Sequence, residues 1–393
     1  MTGGRGGGLR AMKVLVVAGA RPNFMKVAPI LAALARAGAQ AVLVHTGQHY
    51  DAAMSDAFFA DLGLPEPDFH LEVGSASHAV QTARVMEAFE PVLQRVRPHW
   101  VVVVGDVNST LACALVASKL RHELGCRIAH VEAGLRSGDW RMPEEVNRVL
   151  TDRLADLLLT PSRDAHPNLA AEGIEPGRVV FVGNVMIDSL LAQLPAARAL
   201  EVPRRLGVHP GRYAVATLHR PSNVDDPAAL SAVLAGLARV AERMPVVFPV
   251  HPRTRRRAEE FGLGGAMAPL TTVDPLGYRE MVGLVDGAAV VLTDSGGLQE
   301  ETTALGVPCV TLRETTERPV TVAEGTNRLA PWPLTAGGIA RAAEKAVAQG
   351  RAAPGERCPE GWDGRAAERV AAALAGHAPE AAPIVHNLAT EGV

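Results

Sequence analysis

The chain is predicted to fold as an α/β protein with two domains, each built on a parallel, doubly wound sheet. Three observations support this class. Its 393 residues exceed the size of one ordinary domain and suit two. Short apolar runs rich in β-branched residues alternate with helical stretches, which is typical of parallel sheets covered on both faces. The alternation pauses near residues 190–210 and then begins again.

The first domain is predicted to span residues 12–188. Its strands are expected in the continuous apolar runs at 14–18, 41–44, 100–104, 127–131, 157–160 and 179–182. Helices are expected between them, most clearly at 27–36, 80–96 and 111–123. Strands that alternate with helices in this way favour a parallel sheet.

The second domain is predicted to span residues 189–364, beginning with a helix and a linker. Its strands are expected at 213–218, 246–250, 288–292 and 308–312. A Pro- and Gly-rich break at 354–364 precedes a last helix at about 365–376, and residues 1–11 and 377–393 are expected to be a leader and a tail. Two such domains leave a cleft at the carboxyl ends of their strands, where ligands commonly bind.

Composition excludes several classes of function. The net charge is −3 without a basic stripe, which argues against nucleic acid as a partner. No apolar run approaches the ~20 residues that cross a bilayer, so no membrane partner is expected. The four cysteines are scattered and fit reduced thiols in a cytoplasmic protein. Only four lysines occur, so Lys26 at a strand end draws attention.

The segment 130–148 carries the most informative pattern. Glu132 follows a buried strand directly, whereas Glu144 follows Pro143 at a predicted helix start, and Arg136 lies in the turn between them. Carboxylates at strand ends and helix starts face a common crevice in α/β proteins. The pattern therefore predicts proton transfer beside an anionic ligand, although a glutamate after proline is also an ordinary helix N-terminus.

Two segments suit a diphosphate. Arg21 and Lys26 follow the first strand, in a turn that lacks the Gly-x-Gly-x-x-Gly fingerprint, so cations and not glycines would bind the ligand there. In the second, Ser295, Gly296 and Gly297 follow a strand and open a helix whose N–H groups could meet a phosphate. The alternatives are a solvated turn and a plain strand-to-helix connection.

Three further strand ends carry polar groups. Asp106 precedes Asn-Ser-Thr and could equally be a helix cap. His219 can exchange a proton near neutrality and Arg220 can pair with phosphate. Glu301 lies about one turn into its helix, where it could accept hydrogen bonds from a ribose. A metal site near His45–Asp51 is not expected, because no cysteine or paired acid accompanies its histidines.

These motifs together closely resemble the non-hydrolysing UDP-N-acetylglucosamine 2-epimerases. The motifs run in order from Gly19 to Pro319: Gly-Ala-Arg-Pro-x-x-x-Lys, Thr-Gly-Gln-His, Gly-Asp-x-x-Ser-Thr, His-Val-Glu-Ala-Gly-Leu-Arg, Pro-Glu-Glu-x-Asn-Arg, His-Arg, Asp-Ser-Gly-Gly-x-Gln-Glu-Glu and Thr-Glu-Arg-Pro. The resemblance implies a GT-B-like fold of two Rossmann-like domains with a cleft between them. It also implies a homodimer, a UDP-sugar substrate, and a last helix that packs on the first domain.

The resemblance further implies a reaction without cofactor or metal, in which UDP is eliminated to give 2-acetamidoglucal and then adds back. Asp106, Glu132, Glu144 and His219 match the family's acid/base groups. The residues that would bind substrate or UDP are Arg21, Lys26, Arg136, His219, Arg220, Ser295, Gly296, Gly297, Glu301 and Arg318. Which carboxylate acts on which face of the sugar is left open.

Two departures from the family pattern and three other readings accompany this resemblance. Asp51 stands where activated members often have Gln, so we expect no activation by a second substrate molecule. Met281 stands where a Phe often lies near the uracil, so base stacking is expected to be weaker. The alternatives are a hydrolysing epimerase that releases N-acetylmannosamine and UDP, a GT-B glycosyltransferase, and a catalytically silent sensor.

Overall fold

The computed structural model describes residues 12–47, 62–353 and 355–377. The first half of the chain forms a seven-stranded sheet with the order β3-β2-β1-β4-β5-β6-β7, and every pairing in it is parallel. The strands are β1 Lys13–Ala18, β2 Gln40–His45, β3 Phe69–His70, β4 Trp100–Val104, β5 Arg127–Val131, β6 Leu157–Thr160 and β7 Val179–Phe181. The helices are α1 Arg21–Arg36, α2 His78–Val96, α3 Asn108–Leu124, α4 Pro143–Leu154, α5 Ala165–Ala171 and α6 Val185–Ala199, with a short 3-10 turn at Pro176–Arg178.

Both faces of this sheet are covered, as the continuous apolar runs predict. Val14 and Val16 of β1 point into one hydrophobic core, whereas Leu15 and Val17 point into another. Successive side chains of a strand point to opposite faces, so a strand between two cores must be apolar throughout. All five residues of β4 are buried for the same reason.

The second half forms a six-stranded parallel sheet with the order β10-β9-β8-β11-β12-β13. Its strands are β8 Ala214–Thr217, β9 Val246–Pro249, β10 Thr271–Val273, β11 Val290–Thr293, β12 Cys309–Thr311 and β13 Asn327–Leu329. Its helices are α7 Val202–Arg205, α8 Pro221–Val224, α9 Pro227–Ala241, α10 Pro252–Glu260, α11 Tyr278–Asp286, α12 Gly296–Leu305, α13 Pro319–Ala323 and α14 Ala336–Gln349, with a second 3-10 turn at Gly264–Met267. Helix α15 spans Ala366–Gly376 and is the last helix within the described residues.

Helix α15 packs against α1 of the first half and against α6. Asp188 of α6 accepts hydrogen bonds from the backbone N–H groups of Ala366 and Ala367, at 3.1 and 2.7 Å. A carboxylate at a helix N-terminus satisfies N–H groups that have no partner within the helix. The chain therefore crosses from the second half back onto the first.

The predicted fold class is confirmed, and the strands that the apolar runs indicate are present. Three short strands were not predicted: β3, β10 and β13. Each is two or three residues long and none is buried throughout, so none produces a continuous apolar run. The leader, most of the tail and Asp51 lie outside the described residues.

Candidate active site

The strand order of each sheet reverses at one point, and the candidate residues follow the strands at these points. In the first sheet β1 lies between β2 and β4, and in the second β8 lies between β9 and β11. Chain connections leave such neighbouring strands in opposite directions, which opens a crevice at their carboxyl ends. Asp106 follows β4, and His219 and Asp294 follow β8 and β11.

A buried chain of charges joins the two halves of the molecule. Glu132 contacts Lys26 Nζ through Oε2, and its Oε1 lies 2.6 Å from Arg318 Nη2. Arg318 Nε in turn lies 2.7 Å from Glu300 Oε1. Because all four side chains are at most 8% exposed, water screens these contacts little. Arg318 and Glu300 come from the second half, so the cluster exists only when the two halves meet.

Glu132 has an unusual backbone. Its φ is +72°, in the left-handed region that residues with a side chain seldom adopt. Its N–H and that of Ala133 both donate to Leu159 O, at 3.0 and 3.2 Å, which holds the turn after β5 in place. Such backbone strain costs about 1–3 kcal/mol and is concentrated at functional sites. This backbone conformation ends the strand at Glu132, whose side chain contacts Lys26 and Arg318.

Asp106 is held by an arginine that the sequence analysis did not assign a role. Its Oδ2 lies 2.5 Å from Arg148 Nη2 of α4. Burial alone would raise the pKa of Asp106, but Arg148, Lys26 and Arg318 outweigh burial and lower it. The N-cap position of α3 is Val107, so the alternative that Asp106 caps this helix does not hold.

The two glutamates at the start of α4 have different environments. Glu145 is buried and accepts hydrogen bonds from the backbone of Ser137 and Gly138, at 3.0 and 2.9 Å. It also contacts Arg148, so it holds the preceding loop and the arginine in place. Glu144 instead lines a cavity between the two halves. Only Glu144 faces open space where a ligand could lie.

This cavity has a volume of about 560 Å³ and mixed charge. From the first half it is lined by His78, Asp139 and residues 141–144, and from the second by 220–222, 313–315 and Trp332. The two halves thus form opposite walls. Pockets that bind small molecules have volumes of about 300–1,000 Å³, and the volume of this cavity lies within that range.

His219 is oriented by a buried aspartate. Its Nδ1 lies 2.9 Å from Asp294 Oδ1, and its backbone N–H donates to the same carboxylate at 3.1 Å. Burial would raise the pKa of Asp294, but the bonds from His219 and Arg220 lower it. An anionic Asp294 accepts a hydrogen bond from Nδ1 and thereby orients the imidazole ring.

The glycines at the start of α12 lie in a confined space. A Cβ on Gly296 would come 2.9 Å from Glu317 Oε1, and one on Gly297 would come 3.2 Å from Met186 Cε. Ser295 occupies the N-cap position, but its side chain does not make a capping bond. The predicted helix start is therefore present, with Glu317 beside it.

Glu317 is balanced by three arginines. Arg313 Nη1 lies 2.7 Å from its Oε2, Arg220 Nη2 lies 3.7 Å from its Oε1, and Arg318 adjoins it in sequence. Burial opposes ionisation, but these cations lower the pKa of Glu317 to about 2. Arg220, which is assigned to ligand binding from the sequence, thus lies at the edge of the same charged region.

Two glutamates of α12 behave in the opposite way. Burial raises the pKa of Glu300 to about 7, with Glu132 adding to the effect and Arg318 opposing it. Burial also raises the pKa of Glu301 to about 7, against a hydrogen bond with Tyr278. Asn184 donates to Glu300 Oε1 at 3.0 Å. Glu300 was not predicted as a site residue, because its burial depends on contacts with Arg318 and Asn184 from other parts of the chain.

Two predicted residues remain, Arg136 and Arg21. Arg136 is held by Glu172 at 2.7 Å and by Asp152 at 2.8 Å, and it also donates to Leu135 O. These contacts run from the buried Asp152 to the exposed Glu172 and form a separate network. Arg21 opens α1, and only its backbone is described. Within the described residues no group of three His, Cys, Asp or Glu side chains could hold a metal ion.

The fold and the site together define an α/β protein with two parallel sheets and with carboxylates and cations where its two halves meet. A family model described as UDP-N-acetylglucosamine 2-epimerase matches residues 32–375. The chain therefore belongs to this epimerase family, and its fold is GT-B-like. Within the described residues no helix has the length and apolarity needed to cross a membrane.

Individual relatives and structures agree. The chain is 42% identical over 326 residues to the UDP-N-acetylglucosamine 2-epimerase of Methanocaldococcus jannaschii, covering 81% of this chain and 88% of the relative. It is 45% identical over 322 residues, with the same coverage, to the UDP-2,3-diacetamido-2,3-dideoxy-D-glucuronate 2-epimerase of Pseudomonas aeruginosa. The crystal structure of the M. jannaschii enzyme in complex with UDP-GlcNAc and UDP matches with a TM-score of 0.83 and 39% identity, over 92% of this chain and 99% of that one.

Proposed function

We propose that the chain interconverts UDP-N-acetylglucosamine and UDP-N-acetylmannosamine without releasing free sugar. The observation that carries this proposal is the contact of Glu132 with both Lys26 and Arg318. It brings a candidate acid/base carboxylate and two cations for a leaving diphosphate into one buried cluster. The M. jannaschii structure with bound UDP-GlcNAc and UDP supports the same class of ligand.

The proposed reaction begins with removal of the proton from C2 of the sugar. The C–H electron pair forms a C1=C2 double bond, and the C1–O bond breaks with its electrons leaving on UDP. A proton then reaches C2 from the opposite face, while UDP adds back to C1 and restores the bond. Asp106, Glu132, Glu144 and His219 are the proposed proton carriers, because general acid/base catalysis needs groups within reach of both faces.

Departure of UDP requires positive charge where negative charge develops. Lys26 and Arg318 supply it in a buried setting, where such stabilisation is strongest. Arg220 and the N–H groups at Ser295, Gly296 and Gly297 would complete the diphosphate site. Glu301 is proposed to accept hydrogen bonds from the ribose hydroxyls. Arg21 is also proposed to bind the diphosphate, because it stands in the Gly-Ala-Arg-Pro motif.

Arg136 is left out of the proposed ligand-binding set. Its guanidinium is already bound by Glu172, Asp152 and a backbone carbonyl. Its contact with Asp152 places it in a network separate from the contacts among Glu132, Lys26 and Arg318. A structural role accounts better for its position.

A second substrate deserves a parallel test, because of the relative from P. aeruginosa. Its substrate by name is a glucuronate, which carries an additional carboxylate on the sugar. Arg141 and Arg313 line the cavity and could meet such a group. UDP-2,3-diacetamido-2,3-dideoxy-D-glucuronate is therefore the second candidate substrate.

Proton NMR of the purified chain with UDP-N-acetylglucosamine, without added metal, tests the proposal. We expect UDP-N-acetylmannosamine with UDP still attached. Free N-acetylmannosamine and equimolar UDP would identify a hydrolysing epimerase instead. Conversion of the diacetamidoglucuronate alone would identify the second substrate, and no conversion of either would refute the proposed function.

We also propose that the enzyme acts as a cytoplasmic homodimer, with domains at 12–188 and 189–364 and UDP between them. The family resemblance supports these assignments. Light scattering at several concentrations tests the dimer, and a mass of one chain, near 41.3 kDa, would refute it. Small-angle scattering with and without UDP tests closure of the two domains, for which we expect a smaller radius with UDP.

A further inference from the structure

A buried network of charges lies beside the proposed acid/base residues. His130 of β5 and Asp152 of α4 are fully buried, and His130 Nδ1 lies 2.6 Å from Asp152 Oδ1. His130 Nε2 lies 2.8 Å from the carbonyl oxygen of Gly105. Both ring nitrogens thus face oxygen atoms of the protein.

The other oxygen of Asp152 is occupied as well. It accepts a hydrogen bond from the Gly134 N–H at 3.0 Å and contacts Arg136 Nη2 at 2.8 Å. Glu172 pairs with the same guanidinium. Burial would raise the pKa of Asp152, but His130 and Arg136 lower it. One carboxylate therefore has donors on both oxygens.

These bonds end on the two turns that carry proposed catalytic residues. Gly105 directly precedes Asp106, and Gly134 comes two residues after Glu132. All three backbones that form these turns, at Gly105, Glu132 and Gly134, have φ between +69° and +82°. Backbone bonds from Gly105 N–H to Val131 O and from Glu132 N–H to Leu159 O hold one side of each turn. The contacts of His130 with Gly105 O and of Asp152 with Gly134 N–H hold the turns from the other side.

Helix α4 links this network to the cleft. Glu144, Arg148 and Asp152 are spaced by four residues and therefore lie on one face of the helix. The first lines the cavity, the second binds Asp106 and the third binds His130. Every side chain that α4 buries is polar: Glu145, Asn147, Arg148, Thr151 and Asp152. Burial of polar groups lowers the free energy of unfolding unless the groups are paired. We therefore interpret this polar face as one that positions Asp106 and His130, and not as a source of stability.

We propose that the His130–Asp152 pair positions the Asp106 and Glu132 turns relative to each other for proton transfer at the sugar. This inference rests on the proposed function for the identity of the reaction, but not for the positioning itself. His130 and Asp152 act through the two turns and not on the substrate. Loss of the pair should therefore lower kcat while UDP binding, which depends on Lys26 and Arg318, is retained.

The test compares two aspartates that bind opposite ends of the β5 region. Asp152→Ala removes the bonds to His130, Gly134 and Arg136. Asp156→Ala is the matched control, because Asp156 binds the Ile128 N–H and Arg121, each at 2.8 Å, at the other end of the strand. Asp152→Asn is the conservative variant. Its amide can donate to a neutral His130 and still accept from Gly134.

Each variant is measured in two ways. Hydrogen–deuterium exchange is followed in the peptides that cover residues 105–110 and 130–137, and kcat and the affinity for UDP are determined separately. Asp152→Ala should increase exchange in both peptides and lower kcat by about 10- to 100-fold at unchanged UDP affinity. Asp152→Asn should restore most of the protection and the rate. Asp156→Ala should change neither peptide selectively.

Unchanged exchange in Asp152→Ala would overturn the proposal, as would an equal fall of kcat in Asp156→Ala. If Asp152→Ala does not fold, His130→Phe removes the bond to Gly105 while leaving Asp152 with Arg136, and exchange near 105–110 then decides the question. A wild-type chain that does not convert the sugar would refute the proposed function alone, because the exchange measurement still tests positioning.

Discussion

Glu300 and Glu317 flank Arg318, and their pKa values move in opposite directions, which allows a paired prediction. The pKa of Glu300 is about 7 in the folded chain, because burial outweighs Arg318. That of Glu317 is about 2, because its arginines outweigh burial. Both start from an ordinary value of 4.5. Replacing each by Gln removes the ionisable group and nearly keeps its shape.

The signs follow from the direction of each shift. For Glu300 the folded pKa is raised, so its stability contribution is present below pH 4.5 and is lost as the pH rises through about 7. A shift of one pKa unit corresponds to about 1.4 kcal/mol. The free energy of unfolding of the wild type therefore falls by about 2–3 kcal/mol between pH 5 and 8 through this group. Glu300→Gln should therefore gain about 2–3 kcal/mol relative to the wild type over that interval.

Glu317 predicts the reverse. Its folded pKa is lowered, so its contribution is present above pH 4.5 and is lost only as the pH falls through about 2. Glu317→Gln should lose about 3 kcal/mol at pH 5 and at pH 8 alike. Glu317→Gln is thus a matched control, because Glu317 also interacts with Arg318 but its pKa is shifted in the opposite direction.

Urea unfolding of the three proteins at pH 5 and pH 8 measures these differences. The decisive quantity is the change of each variant's relative stability between the two pH values. If Glu300→Gln were destabilised equally at both, or if its relative stability fell at pH 8, burial would not control the ionisation of Glu300. The account of the charged cluster would then be wrong.

Further predictions concern Lys26, the turn at Gly105, the His219–Asp294 pair and the dependence of the rate on substrate concentration. Lys26→Met should weaken UDP binding by at least about tenfold in calorimetry, through loss of a charge-assisted bond; unchanged affinity would remove Lys26 from the site. Gly105→Ala places a Cβ 3.1 Å from Lys26 Nζ at a φ of +69°, and should lower kcat/KM by about tenfold; wild-type activity would show that the turn tolerates displacement. Asp294→Asn should lower kcat by about 10- to 100-fold by misorienting His219, and a normal rate would contradict this role. Rates should rise hyperbolically with substrate because of Asp51, and a sigmoidal curve would disprove that expectation.

Much of the fold is predictable because buried parallel strands have a distinct sequence pattern. β4 is a continuous apolar run and β5 buries four of its five residues, and the structure has both strands where the pattern indicates. The edge strand β10 was missed because its residues are largely exposed and only three in number. A short pairing of this kind depends on its neighbour β9 and not on its own composition.

The sequence singled out candidate residues at strand ends and in the first turns of helices, but it gave no role to Arg148 or Glu300, although both stand in its motifs. Glu132 and His219 each follow a predicted strand directly. Arg148 and Glu300 come from helix interiors, where a charged residue ordinarily faces solvent. Their burial is a property of the assembled structure, since Arg148 needs Asp106 and Glu300 needs Arg318.

The central claim is that carboxylates of this cluster move the proton at C2, and deuterium incorporation tests it most directly. Wild type, Asp106→Asn and Glu132→Gln would be incubated with UDP-N-acetylglucosamine in heavy water and followed by NMR. The account predicts deuterium at C2 of the epimer from the wild type, and at least about 100-fold slower incorporation by each variant. An epimer that keeps its original hydrogen at C2, or variants that exchange at the wild-type rate, would contradict it.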